Sequence, residues 1–349
     1  MGIKRKGFWT VVAILLAALT IYAVFSQSGG ISPEELWETI QGASWPLLIV
    51  SVFCMMGIIF FEGEAVRVIQ KGVGYPRTHR QGFLYGAADV YFSAITPSAS
   101  GGQPASAFFM VRDGCPMVIV TAVLLLNLVM YTLAVVSIGL VCILARPDIF
   151  FRFGLPSRIL IVAGFLSLSG LSVLFYFMLK RQAFLFGIAR RMLGFLAGHH
   201  LLRHPQKLYE KLDHAQKEYA ICVKLMAGHK RMLISAYVLN VLQRLSQVGV
   251  ILSVCLATGG GLKVMGELFP TQMYIILGSN CVPVPGGMGV TDYLMLDGYG
   301  QLFASSYAFQ LEMLGRSLSF YCSVLVSAIT VLIGYLAIRK ADHKKRAAA

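Results

Sequence analysis

Charge is scarce in this chain: Asp, Glu, Lys and Arg make up 13% of the 349 residues, against 57% hydrophobic ones. That is about half the charged share of a soluble domain, which excludes an ordinary water-soluble enzyme. Cysteine forms no framework either. Cys54, Cys115, Cys142, Cys222, Cys255, Cys281 and Cys322 are odd in number, scattered and without a Cys-x-x-Cys pair, so neither a disulfide scaffold nor a zinc site is expected. His199, His200 and His204 stand among basic residues with no carboxylate at metallopeptidase spacing. No Walker A sequence and no Gly-x-Gly-Asp pair occurs, and no histidine lies in a clear apolar span. ATP-driven, metal-dependent and intramembrane-protease chemistry are thereby disfavoured, and no cofactor or metal is expected.

Long apolar runs are abundant. A helix that crosses the ~30 Å hydrocarbon layer needs about 20 apolar residues, and six stretches qualify: 8–25, 45–61, 116–145, 156–179, 232–257 and 317–338. The first follows Lys4, Arg5 and Lys6 but has no small-x-small cleavage site, so it reads as a retained helix rather than a signal peptide.

Basic residues fix the orientation, because short loops rich in Lys and Arg stay cytoplasmic. Of the 30 Lys and Arg residues, those at 4–6, 67–80, 112, 180–231 and 339–346 fall on one side. Arg146, Arg152, Arg158 and Lys263 fall on the other, and Arg244 and Arg316 lie inside apolar spans. Both termini are therefore expected in the cytoplasm. The net charge of +14 reads as a topology signal and an attraction to anionic headgroups, not as a nucleic-acid footprint.

The segment 180–231 is too short for a catalytic domain. Phe184, Leu185, Ile188, Met192 and Phe195 with Arg190 and Arg191 between them read as an interfacial helix at 183–197, and 206–225 continues at helical spacing. This linker either connects two membrane halves or docks a partner.

Two apolar stretches are interrupted by Gly and Pro. The first reads Thr96-Pro97-Ser98-Ala99-Ser100-Gly101-Gly102-Gln103-Pro104 and the second Pro283-Val284-Pro285-Gly286-Gly287-Met288-Gly289. The apolar flanks at 82–95, 105–111, 268–282 and 290–296 are too short to cross alone, so each break is expected at the tip of a re-entrant helical hairpin. Broken backbone in hydrocarbon costs several kcal/mol per unpaired group and persists only where protein covers it or a polar cavity is lined. The hairpin at 82–111 must enter from inside and that at 268–296 from outside, which implies an inverted repeat with its site near the midplane. The expected fold is an all-α polytopic membrane protein of six full spans and two oppositely oriented hairpins. It divides into a first half at 1–145, a connecting region at 146–231, and a second half with a basic tail at 232–349.

The breaks, the second in the form Pro-x-Pro-Gly-Gly-x-Gly-Val, resemble those of the lysylphosphatidylglycerol synthase transmembrane-region family, also called flippase-like proteins. The resemblance covers about 10–338. In longer members a soluble acyltransferase-like domain moves a lysyl group from charged tRNA onto phosphatidylglycerol, and the membrane region moves the product between leaflets. The chain ends at Ala349, so that soluble domain is not expected here. The resemblance implies translocation of a phospholipid, such as aminoacylated phosphatidylglycerol, or of a lipid-linked molecule across a cell membrane. The alternative it implies is a membrane component of phosphatidylglycerol lysyltransferase, linked to resistance to cationic peptide antibiotics, acting with or as a scaffold for a separate synthase. Gln103 stands where many members carry Glu, and Asp292 where many carry Glu.

Ionisable groups at membrane depth are rare and functional by default. Candidate lipid-contacting or translocation residues are Asp89, Thr96, Pro97, Gly101, Gly102, Gln103, Arg112, Arg244, Asn280, Pro283, Pro285, Gly286, Gly287, Gly289, Asp292, Glu312 and Arg316. Arg244 and Arg316 would hold a lipid phosphate, with Asp89 or Asp292 balancing them when no lipid is bound. Alternatively, Asp292 with Arg316 and Asp89 with Arg112 are ion pairs that lock the hairpins. Glu62, Glu64 and Arg67 are expected nearer the inner face.

Overall fold

The computed structural model describes Trp37 and residues 40–96, 99–198, 206, 208–210, 212–213, 216, 229–282 and 284–347. The expected first span at 8–25 lies outside them. Eleven α-helices are introduced here: α1 (Trp45–Gly72), α2 (His79–Ile95), α3 (Gly102–Arg112), α4 (Met117–Ala145), α5 (Pro147–Arg152), α6 (Leu155–Gly198), α7 (Lys230–Ala257), α8 (Met265–Ser279), α9 (Val290–Gly300), α10 (Ser305–Arg316) and α11 (Ser323–Ala347). Five stretches are long and apolar enough to cross a membrane: α1, α4, the first part of α6 (Leu155–Phe175), α7, and the run Ser305–Lys340 through α10 and α11. Their outer faces carry exposed Phe53, Val141, Leu144, Leu166 and Ile333, the side chains a hydrocarbon solvent accepts.

The helix α6 departs from expectation. A separate interfacial helix at 183–197 was expected, but α6 runs unbroken for 44 residues through Lys180 and Arg181 to Gly198, because no proline interrupts the sequence there and Lys, Arg and Gln are good helix formers. At 1.5 Å per residue it is about 66 Å long, so it extends well beyond a bilayer's hydrocarbon.

Around the centre, α1 and α7 lie antiparallel along their whole length. The Ser44 N–H donates to Ala257 O at 2.8 Å, Ser51 Oγ meets Ser253 Oγ at 2.8 Å, Gly57 faces Ser246, and Gly72 faces Met232. Such close approach is how helices associate where lipid removes the hydrophobic drive. α2 crosses α1 still more closely: a Cβ on Gly86 would meet Ile59 O at 2.5 Å and the Gly63 N at 2.6 Å. Each half has the same order of elements, a spanning helix, an interrupted pair, then a spanning stretch. α2 packs against α11, and α8 packs against α4, so each interrupted pair lies on the last long stretch of the other half.

The two ends are held by polar clusters. At one, Glu64 pairs with Arg67 at 2.7 Å and with His79 at 2.8 Å. Asp113 there accepts hydrogen bonds from Gln81 and Tyr85, which ties α2 to the end of α3. At the other, Arg146 and Arg152 both reach Asp148 and Glu267, with distances of 2.7 to 3.2 Å. Pro270 inside α8 cannot donate to the carbonyl of Gly266, and Arg146 Nη1 supplies that carbonyl with a donor at 3.3 Å.

Arg146 beside Asp148 holds that carboxyl down at about 2, and Arg152 beside Glu267 likewise lowers its partner. A depressed carboxyl stabilises the fold above its unfolded value and loses that contribution as pH falls through the folded one. The melting temperature of the detergent-solubilised protein is expected to drop as pH falls from about 4 to about 2, and Arg146→Gln to blunt that drop. Gly86→Val should cost about 1–3 kcal/mol by overpacking, read as a lowered melting temperature. Gly170→Ala, with nothing within 4 Å of its Cβ position, should not.

Candidate functional site

The structure gathers most of the candidate residues into two groups, one around each Gly/Pro break. In the first, three spanning helices contribute polar side chains that bond in a fixed order. Asn240 Nδ2 donates to Asn127 Oδ1 at 3.1 Å, and Asn127 Nδ2 donates to Glu62 Oε1 at 2.7 Å. Gln243 Nε2 donates to Glu62 Oε2 at 2.7 Å, and Gln243 Oε1 accepts from Arg244 Nη2 at 2.8 Å. Arg244 also donates to Gln247 at 2.7 Å and lies 4.7 Å from the centre of the Tyr131 ring. Tyr131 in turn donates to Asn280, at the second break, at 3.2 Å. Glu62, Asn127, Asn240 and Gln243 are buried. Two buried atoms of this chain, Asn240 Oδ1 and Arg244 Nε, have no partner among the described residues.

Asp89 joins this group from α2. It is half-buried, and Glu62 and Arg244 both act on it electrostatically. Its carboxylate lies against the start of α3, where a Cβ on Gly102 would meet Asp89 Oδ1 at 2.5 Å. The turn itself is held by Thr96, whose hydroxyl accepts the Gly101 N–H at 2.8 Å and donates to Phe92 O at 2.6 Å. Ala99 takes φ 53°, a left-handed conformation unusual for a residue with a Cβ.

In the second group Arg316 Nε donates to Asp292 Oδ1 at 2.6 Å and Arg316 Nη2 to Gly286 O at 3.0 Å. Its guanidinium lies 4.6 Å from the Phe320 ring centre. Asp292 also accepts the Gly289 N–H at 2.8 Å, capping α9, and Glu312 lies beside it. Gly286, Gly287 and Gly289 all have positive φ, between 61° and 75°. Arg316 is followed by a π-helical turn, Ser317–Cys322, a feature frequent at functional sites. The two groups are neighbours: α2 touches the turn Pro285–Gly287, and Phe320 packs with Tyr91, Ala94 and Val324.

Of the sequence candidates, Asp292 and Arg316 form the expected ion pair. Asp89 and Arg112 do not: Asp89 lies at the Gly102 end of α3 and Arg112 ends that helix, about 15 Å along the axis, beside Phe108. Gln103 is half-buried in the first turn of α3. Pro97 and Pro283 lie outside the described residues, while Pro285 opens the turn of the second break. Asn127, Asn240 and Gln243 were not among the sequence candidates, which were drawn from ionisable groups at membrane depth and from the two Gly/Pro breaks. Amides in the middle of apolar helices were the available signal. Glu62 is also a member of this hydrogen-bonded chain.

An all-helical protein with several membrane-crossing helices and a bonded polar interior is an integral membrane protein of the multi-pass class. The chain belongs to the family described as the lysylphosphatidylglycerol synthase TM region, whose model matches residues 10–327. Membership connects it to lipid metabolism. Among curated proteins none matches.

Removing one partner of a buried hydrogen bond exposes the full cost of the other, about 1–3 kcal/mol. Glu62→Ala leaves Asn127 Nδ2 without an acceptor and Gln243 Nε2 with only the Ile58 carbonyl at 3.5 Å, and is expected to lower thermal stability more than Gln247→Ala, which removes one half-buried partner of Arg244. Melting curves in detergent check this order.

Proposed function

We propose that this chain is a flippase-like translocase that moves a phospholipid, or a lipid-linked molecule with an anionic headgroup, between the leaflets of a cell membrane. The observation that carries the reading is the convergence of two Gly/Pro breaks with Asp89, Arg244, Asp292 and Arg316 inside an otherwise apolar helical body. A lipid headgroup needs polar partners while its tails remain in hydrocarbon, and such an interior offers both.

Arg244 and Arg316 are the phosphate contacts in this reading. Arg244 Nε is a buried donor awaiting an acceptor, and Arg316 is held ready by a carboxylate and a carbonyl that a phosphate can replace. The start of α3 adds a favourable dipole end.

The antiparallel α1 and α7, with the same order of elements in each half, support an inverted repeat in which the two interrupted pairs are re-entrant hairpins of opposite orientation. In this reading Glu64, Arg67 and Asp113 lie at the cytoplasmic face and Arg146, Arg152 and Glu267 at the opposite one, with both termini inside, an orientation that the charge distribution supports.

Replacing Gly286 and Gly287 by Leu puts a side chain where a Cβ already meets Phe320 at 2.3 Å and Thr291 at 2.6 Å. Outer-leaflet lipids are measured with an impermeant headgroup-reactive probe and mass spectrometry in cells with and without the protein. The expected result is a specific lipid lost from the outer leaflet at unchanged total amount, in the null strain and in the Gly286→Leu/Gly287→Leu variant alike. Retained exposure in that variant overturns the reading. A change in total amount instead assigns the chain to lipid synthesis with a separate synthase.

A further inference from the structure

The two polar atoms that the first group leaves over are of opposite kind. Asn240 is fully buried, and both hydrogens of its Nδ2 are used, one on Asn127 Oδ1 at 3.1 Å and one on Ala236 O at 2.9 Å. Its Oδ1, an acceptor, has no partner among the described residues. Arg244 donates from Nη2 to Gln243 and from Nη1 to Gln247. Its Nε, a donor, is buried and has no acceptor among the described residues. A buried polar group left unpaired costs more than a made hydrogen bond returns, so each atom calls for a partner that the helices do not supply.

The two atoms also share a place. Asn240 and Arg244 are one turn apart on α7, and the residues they meet on α4, Asn127 and Tyr131, are one turn apart as well. Both atoms therefore lie at the α4–α7 seam, on residues about 6 Å apart along the helix axis. An oxygen about 2.9 Å from each of two groups bridges a gap of that order. To complete both, it must donate to Asn240 Oδ1 and accept from Arg244 Nε. An ionised phosphate oxygen accepts but does not donate, and an ammonium donates but does not accept. A hydroxyl oxygen does both. The seam is closed at Asn240 and opens beyond Arg244: Arg244 and Tyr131 are half-buried, and Asn280, which Tyr131 bonds, is exposed.

We propose that Asn240 and Arg244 form a hydroxyl-recognising subsite, so that the lipid moved is one whose phosphate headgroup bears a hydroxyl, as a glycerol or a sugar does. The inference rests on the translocation reading and names the substrate class of the same site. Each Nη of Arg244 has spent one hydrogen on a glutamine and keeps another for the phosphate of that headgroup. The Tyr131 ring, 4.7 Å from the guanidinium, holds the cation against α4. Water has the same two-sided chemistry as a hydroxyl, and the lipid series below separates the two.

The test uses the full chain and two tail-labelled lipids of equal charge. One is phosphatidylglycerol, and the other is phosphatidylpropanol, which has the same headgroup carbons without the hydroxyls. Movement between the leaflets of proteoliposomes is followed by dithionite bleaching, and binding to the detergent-solubilised protein by native mass spectrometry. Phosphatidylglycerol should be favoured by about tenfold in both assays. Asn240→Leu, or Asn240→Ala where Leu prevents folding, should bring that ratio to about one. Equal movement and equal binding in the wild type mean that water alone sits in the seam, which overturns the subsite and spares translocation. A preference that survives loss of the Asn240 side chain overturns the assignment to Asn240. Preferential binding with no movement of either lipid keeps the subsite and counts against translocation, and binding of neither overturns both.

Discussion

The polar interior depends on how Glu62 is satisfied. A carboxylate inside a helical membrane protein must find its donors within the protein, and here both come from amides whose own orientations are set by further bonds. The chain Asn240, Asn127, Glu62, Gln243, Arg244 therefore ties α1, α4 and α7 into one body. Because each amide has its direction fixed by the next, no member can be turned without orphaning another, and such networks rigidify a fold only when fully satisfied. The two atoms that remain open, on Asn240 and Arg244, stand out for that reason.

This bonded centre gives the two breaks something to bear upon. α2 brings Asp89 to the network and carries the first break at its end. The second break contacts α2, and Asn280 reaches back to Tyr131 beneath Arg244. Glycine is needed at Gly286 because the Phe320 ring fills the space a side chain would take, and its positive φ suits no other residue as well. Arg316 then holds the carbonyl of that same residue and the carboxylate that caps α9. The turn at Gly286 is thus bonded and packed by neighbouring side chains, whereas Ala99, Ser100, Pro104 and Gly289 are exposed.

The clusters at the two ends differ in kind. Glu64, Arg67, His79 and Asp113 bind the α1–α2 connection to the end of α3, whereas Arg146 and Arg152 clasp α5 to the beginning of α8. Each therefore fastens one interrupted pair at the end where its chain enters.

Composition, apolar length and the position of basic residues determined by themselves that this is an all-helical membrane protein, where five of its long stretches run, and which two places interrupt them. These properties are local, since a run of twenty apolar residues or a Pro-Gly-Gly turn carries its meaning in its own sequence. Pairing was not local. That Arg316 meets Asp292 while Arg112 stands a helix length from Asp89, and that α6 continues as one helix through Lys180, was decided by packing. Glu62, Asn127, Asn240 and Gln243 are far apart in the chain and individually unremarkable. Only their convergence makes a polar centre, because a hydrogen bond depends on distance in space and not along the sequence.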